Sequence, residues 1–232
     1  MKWILFFVFA IVVFTSCRYT TGSGNIISET RSVSDFDGIS VAGDFEVEVK
    51  TGPASVVVEA DDNIMKYIET TVSSNTLKIR TEDLHNYSDV HMKVFITIPA
   101  LKKINAAASA GVEVKDVLAN SGRLTFKASS GSGITARVDA PAVESDASSG
   151  ATINLSGRTK SYTTEASSGS SINSADLLSE NTTVKASSGS TARVHASVAI
   201  NITASSGSSV TYHGAGAVSQ SVSSGATVVK KD

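Results

Sequence analysis

The chain is poor in the residues that interrupt or decorate most folds. Of 232 residues, 3 are proline, 1 is cysteine and 4 are histidine, and aromatics make up 6%. Scarce proline fits a backbone that is hydrogen-bonded along most of its length, because each proline removes one donor from a ladder. Charged residues are 18% and the formal net charge is −2, which excludes the basic surface of a nucleic-acid binder. There is no nucleophile elbow, Walker loop or dinucleotide fingerprint. Gly131-Ser132-Gly133 is a weak Gly-x-Gly that lies inside a repeat and not ahead of a helix.

What the chain has in abundance is one tripeptide at one spacing. Ser-Ser-Gly ends at Gly131, Gly150, Gly169, Gly189, Gly207 and Gly225, at intervals of 19, 19, 20, 18 and 18 residues. Gly111, in Ala-Ser-Ala-Gly, reads as a degenerate earlier copy 20 residues before Gly131. A fixed period near 19 marks stacked units, each too small to bury an apolar face alone. Within each unit the apolar residues alternate. Three before the glycines stand Ala108, Ala128, Ala147, Ala166, Ala186, Ala204 and Val222. Five and seven before stand residues such as Phe126, Val184 and Ile202, and Ile104, Leu124 and Ile200. Three after stand Val114, Ile134, Ile153, Ile172, Ala192, Val210 and Val228. Period two places each row on one face of a strand and excludes an amphipathic helix.

The expectation is an all-β, single-domain parallel β-helix with coils of about 19 residues, each holding two short strands that meet at the Ser-Ser-Gly corner. Neighbouring coils lie about 4.8 Å apart, so each corner residue sits over its copy. Alanine and glycine fit a corner where the enclosed space narrows, and glycine also tolerates positive φ. A flexible Ser/Gly linker would not keep aliphatic residues at fixed offsets.

The amino terminus reads separately. Lys2 precedes the apolar run Trp3 to Phe14, which is followed by Thr15-Ser16-Cys17. The run is too short to span a bilayer, so residues 1–16 are read as a signal peptide. The small residues before the only cysteine resemble a bacterial lipobox, which implies cleavage before Cys17 and lipid on its sulfur. No aspartate follows the cysteine to mark inner-membrane retention, so an outer-membrane anchor facing the periplasm or the exterior is expected, with residues 17–24 as a tether. Residues 25–100 read as irregular first coils and 101–232 as the regular repeats. In the irregular part Val90 to Ile98 alternates most clearly, and Asp61-Asp62-Asn63 is expected to cap a short helix from Ile64 to Thr70. Lys230-Lys231-Asp232 would blunt the last edge.

The segments Gly24-Asn25-Ile26, Phe36-Asp37-Gly38-Ile39-Ser40-Val41, Phe45-Glu46-Val47-Glu48-Val49 and Ala60-Asp61-Asp62-Asn63-Ile64, followed by Ser-Ser-Gly coils, resemble the putative auto-transporter adhesin head GIN domain family, exported proteins found mostly in Bacteroidota. The resemblance runs from Asn25 to Val229. It implies a parallel β-helix similar in architecture to pectin lyases, without a known catalytic set, and an adhesive role. A literal Gly-Ile-Asn is absent, so no binding residue is carried over.

Few constellations offer chemistry. His195 and His213 each lie six residues after a repeat glycine and should stack on adjacent coils, but nothing completes a metal site. His85 and His91 stand beside Asp83 and Asp89 without a recognised spacing. Four before the glycines, Lys127, Asp146, Glu165 and Lys185 should form an outward ladder, read as a surface charge network. The expected function is a lipid-anchored, non-enzymatic binding or adhesion module for a glycan or protein ligand. The alternative is a carbohydrate-active enzyme, whose acids would come from the irregular region around Asp62 and Asp83. Expected partners are the membrane, through lipid on Cys17, and that ligand; a homo-oligomer is allowed, and no catalytic residue, cofactor or metal is expected.

Overall fold

Alternating residues become strands, and most pair with a strand one coil away rather than with a sequence neighbour. The structure, a computed structural model, describes residues 18–82 and 85–231. The irregular part contains β1 (Arg18–Thr21), β2 (Ile26–Thr30), β3 (Gly38–Ala42), β4 (Glu46–Thr51), β5 (Ser55–Asp61), α1 (Asp62–Met65), β6 (Ile68–Ser73), β7 (Thr76–Thr81), β8 (His85–Ser88) and β9 (Met92–Ile98). The coils continue as β10 (Lys103–Ala107), β11 (Gly111–Ala119), β12 (Arg123–Ala128), β13 (Gly133–Ala147), β14 (Thr152–Ala166), β15 (Ser171–Ser174) and β16 (Leu177–Ala186). Then follow β17 (Thr191–His195), β18 (Ala199–Ala204), β19 (Ser209–His213), β20 (Ala217–Val222) and β21 (Thr227–Lys230).

Two parallel walls result. One runs β7-β3-β10-β12-β13-β14-β16-β18-β20, the other β9-β4-β11-β13-β14-β15-β17-β19-β21. The long strands β13 and β14 serve both walls. At the amino-terminal end the walls stop on antiparallel strands, β6 on β7 and β2 on β5 on β9. Between the walls lies one continuous core. Ile134, Ile153 and Ile172 stack in register and are essentially inaccessible, each burial contributing about 1.5–3 kcal/mol. Polar members of the inward rows find partners inside. Ser145 Oγ lies 2.7 Å from both Tyr162 Oη and Thr164 Oγ1, and burial pushes the Tyr162 phenol above its ordinary pKa.

Each Ser-Ser-Gly corner is a tight turn. The second serine and the glycine both have positive φ, about 50° and 70°, and the following residue donates back to the first serine, as Ser170 N to Ser167 O at 3.1 Å. That is the hydrogen bond and the φ pattern of a type I′ turn. The glycine N–H donates to the second serine of the next coil, as Gly169 N to Ser188 O at 3.0 Å. A Cβ on any of the six turn glycines would meet nothing within 4 Å. Positive φ, and not lack of room, therefore selects glycine there; crowding governs the alanine before the turn.

Gly111 is not one of these corners. It pairs with Gly133 and Glu46, and the earlier copy of the turn is Ala107-Ala108-Ser109-Ala110, with Ala108 at φ 52°, Ser109 at φ 70° and Ala110 N donating to Ala107 O. Correspondingly Val112, not Val114, stacks on Ile134, and Ala106, not Ala108, stacks on Ala128. Serine holds the left-handed position that glycine holds elsewhere, which is why the glycine spacing pointed two residues too far.

The helix is also shorter than Ile64 to Thr70. It ends at Met65, and Ile68 already opens β6. The β-branched run Ile68, Thr70, Thr71, Val72 pairs with β7 across a two-residue turn, Ser74-Asn75, with both φ positive. Asp61 does not cap the helix with its side chain. Instead it is buried and accepts the Gly24 and His91 N–H groups, each at 2.7 Å. Asp62 accepts from Ser23 Oγ at 2.6 Å and Asn25 Nδ2 at 2.8 Å. The two aspartates thus clasp the segment that leads out of the expected tether. Hydrogen bonds from Ser23 and then Asn25 hold the Asp62 carboxyl below its ordinary range. A depressed folded-state pKa contributes stability above the unfolded value, and that contribution is lost as pH falls through the folded one. NMR order parameters of the Gly22–Asn25 amides should therefore drop on acidification below the carboxylate range, and Asp62→Asn should flatten that response.

Candidate functional site

The site arises from a mismatch in coil length. Between the turns the strands stay in strict register, so the unequal intervals must be absorbed on the far side. There, Asn154 pairs with Asn173 at an offset of 19 residues, but Gly157 pairs with Leu177 at 20. The extra residue lies in the bend Ala175-Asp176. The next coil loses two: Ser174 pairs with Val194 at 20 residues, and Asn181 with Ala199 at 18. His195 to Val198 takes a short cut, which leaves the side chains of Leu178 and Glu180 on an exposed ledge while Ser179 between them stays buried. Ser197 N and Val198 N tie the short cut to the carbonyls of Ser179 and Glu180.

The ledge and the rungs below it form an open groove of about 690 Å³. Its floor steps through Asp139, Arg158 and Leu178 on successive rungs, with Ala140, Thr159 and Ser179 beside them. Leu178 is 58% exposed. Pro141 lies where β13 passes from one wall to the other, and has no N–H to donate. Arg158 Nη2 and Nε lie 2.6 and 3.0 Å from Asp139 Oδ2. This hydrogen-bonded pair holds the Asp139 carboxyl below its usual range and raises Arg158. A general acid needs the opposite shift. Lys160 and Glu180 line the groove with exposed side chains. The result is an apolar patch rimmed by charges of both signs, able to hold a ligand that carries both apolar and charged groups.

The residues singled out from sequence fall elsewhere, except one. His195 lines this groove and pairs in register with His213. Its Nδ1 is buried without a hydrogen-bond partner and its carbonyl accepts from Thr182 Oγ1 at 2.7 Å. No group of three metal-binding side chains forms among the described residues. Lys127, Asp146, Glu165 and Lys185 do align on consecutive rungs. Lys127 Nζ stands 3.7 Å from Asp146 Oδ2 with both side chains about half exposed, a pair worth well under 1 kcal/mol. His91 Nε2 lies 2.7 Å from Glu59 Oε1. Cys17 and Asp83 lie outside the described residues, as do the signal peptide and the final Asp232. Arg158, Lys160, Leu178 and Glu180 were not singled out by the sequence. The one available signal was the jump from intervals of 19 to 20 and then 18.

A model of the family described as putative auto-transporter adhesin, head GIN domain, matches residues 35–216. No curated protein sequence matches. Among solved structures, a putative adhesin from Bacteroides fragilis superposes with a TM-score of 0.83 at 16% identity, covering 91% of this chain and 98% of its own. A putative adhesin from Parabacteroides merdae has a TM-score of 0.73 at 16% identity, over 93% of this chain and 100% of its own. A protein from Parabacteroides distasonis described as a putative lipid binding protein has a TM-score of 0.73 at 19% identity, with the same coverage of 93% and 100%. At such identities the likeness concerns the fold.

Proposed function

This chain belongs to the putative auto-transporter adhesin, head GIN domain family, and from that premise we propose that it is a binding module of the cell envelope whose ligand, a glycan or a protein, seats on the Leu178 ledge. One observation carries the reading: an exposed leucine framed by Arg158, Lys160 and Glu180 in a groove that the coil-length mismatch creates. Apolar groups there lose contact with water when a ligand arrives, and the flanking charges orient it. Elsewhere on the coils, columns such as Thr135-Asn154-Asn173 and Thr163-Thr183-Asn201 present hydroxyl and amide groups at strand spacing. Repeated weak contacts of this kind add up when many copies share a surface.

The test is direct binding of the purified protein to arrayed glycans and envelope or host-surface proteins, followed by Leu178→Glu and the double variant Arg158→Ala, Lys160→Ala. Both sites are solvent-exposed, so the fold should survive. A loss of roughly tenfold or more in affinity, about 1.4 kcal/mol, is expected from each. Ligand capture that neither variant weakens would place the site elsewhere.

Anchoring belongs to the same proposal. Cys17 carries lipid and holds the module at the outer membrane through several acyl chains, since one chain binds only marginally. Cys17→Ser should release the protein into the soluble periplasmic fraction. Retention on membranes after a high-salt wash would reject the anchor.

A further inference from the structure

Most polar side chains of the Leu178 groove are already engaged within the fold. Asn120 Nδ2 donates to the Leu101 carbonyl at 3.0 Å, and Asn120 Oδ1 accepts from Gly122 N at 2.7 Å. Thr159 Oγ1 donates to the Ser161 carbonyl at 3.1 Å, Ser197 Oγ to the Ser179 carbonyl at 3.3 Å, and Ser179 Oγ to the His195 carbonyl. Arg158 commits two donors to Asp139. Two charged groups remain. Lys160 and Glu180 stand on adjacent rungs, between the register pairs Thr159–Ser179 and Ser161–Asn181. Both are exposed, and neither enters an ion pair among the described residues. Beside them two apolar side chains are open to water, Leu178 at 58% and Val198 at 56%. Val198 adjoins the ledge through its N–H, which donates to the Glu180 carbonyl at 2.8 Å. Among the described residues no aromatic ring lines the groove.

With the ledge as the binding site, on which this rests, we propose that its occupant is a short extended segment of a protein, in which an apolar residue stands within two positions of one acidic and one basic residue. Glycans fit the groove poorly. A sugar carries hydroxyls on every side, and each one that leaves water needs a hydrogen-bond partner. The neutral donors of the groove are committed elsewhere, and no flat ring is there to cover the C–H face of a pyranose. An extended chain meets these conditions. It keeps its backbone polar groups in water at the open mouth of the groove and sends alternate side chains inward. An apolar side chain covers Leu178 and Val198 and takes both out of water. An acidic one meets Lys160 and a basic one meets Glu180, on rungs ~4.8 Å apart. Free charges of opposite sign attract their complements and reject a segment in which the charges are exchanged.

The probes are short synthetic peptides with a central leucine flanked by Glu and Lys in either order, or by serines. They are displayed at high density so that weak contacts add, beside arrayed neutral and acidic glycans. The purified protein should retain the charged peptides of one order roughly tenfold or more above the serine peptide, and less as salt is raised. The double variant Lys160→Glu, Glu180→Lys should prefer the opposite order, an exchange that a folding defect would not produce. Leu178→Glu should abolish retention of both charged peptides. Glycan binding that Leu178→Glu removes would leave the ledge as the site and overturn the protein ligand. Retention of neither peptides nor glycans would overturn the ledge as a site, and this proposal with it. Peptide retention indifferent to the double reversal would also overturn the proposal.

Discussion

Ala166→Phe is expected to lower the stability of the protein by roughly 1–3 kcal/mol or more, read as a drop in the midpoint of chemical denaturation. Ala166 is 1% exposed and pairs in register with Ala147 below and Ala186 above. Its side chain points inward just before the turn, where the two walls converge. A phenyl ring there has no unoccupied volume to enter. It must push the facing wall outward or rotate the strand, and either breaks ladder bonds on both neighbouring coils. Because the coils are coupled only to their neighbours, the strain should concentrate there. Hydrogen exchange should accelerate most in the coils that carry Ala147 and Ala186. An unchanged midpoint would mean that Ala166 does not face the core.

Gly157→Ala should be at least as damaging, for a different reason. Gly157 lies in β14 at φ 108°, a conformation that L side chains rarely adopt, and a Cβ there would lie 2.0 Å from the Val138 carbonyl oxygen. The backbone strain alone is worth about 1–3 kcal/mol, and a backbone atom cannot move aside as a flexible side chain would. The variant also displaces Arg158, the next residue, so it should weaken binding at the ledge as well. The control is Gly169→Ala. That glycine has φ 69° but open space around a Cβ, so the cost is the left-handed conformation itself, about 1–2 kcal/mol. Equal melting of the two variants would show that crowding at Val138 plays no part.

These two glycines mark what could and could not be read from sequence. Gly169 announces itself, because its conformation is demanded by a turn and the turn recurs. Gly157 has one counterpart, Gly214, likewise seven residues after a turn glycine, with φ 99° and a Cβ position 2.2 Å from the Ala196 carbonyl oxygen; the coils between carry Asp176 and Ala196 at that offset, so no regular row announces it. The same contrast runs through the site. His195 was noticed because it repeats as His213. Leu178 and Lys160 were not, because they matter only where two unequal coils meet. The misplacement of Gly111 has a related origin: residue identity was used as a proxy for φ, and in that copy Ser109 adopts the glycine conformation. The helix from Ile64 was overextended because apolar residues four apart suit either period, and pairing of β6 with β7 decided the matter.

By itself the sequence determined the parallel solenoid, the inward rows and the six Ser-Ser-Gly corners. A coil must place each residue over its copy one strand spacing away, and any residue that violates that stacking is felt in every period. Tertiary structure alone decided the antiparallel finish of the amino-terminal end and the ledge at Leu178. Each of those depends on what lies beyond one period: strands that fold back against the first coils, or a difference in length between two coils. Repetition encodes the average rung, and the features that distinguish this molecule lie where the repetition fails.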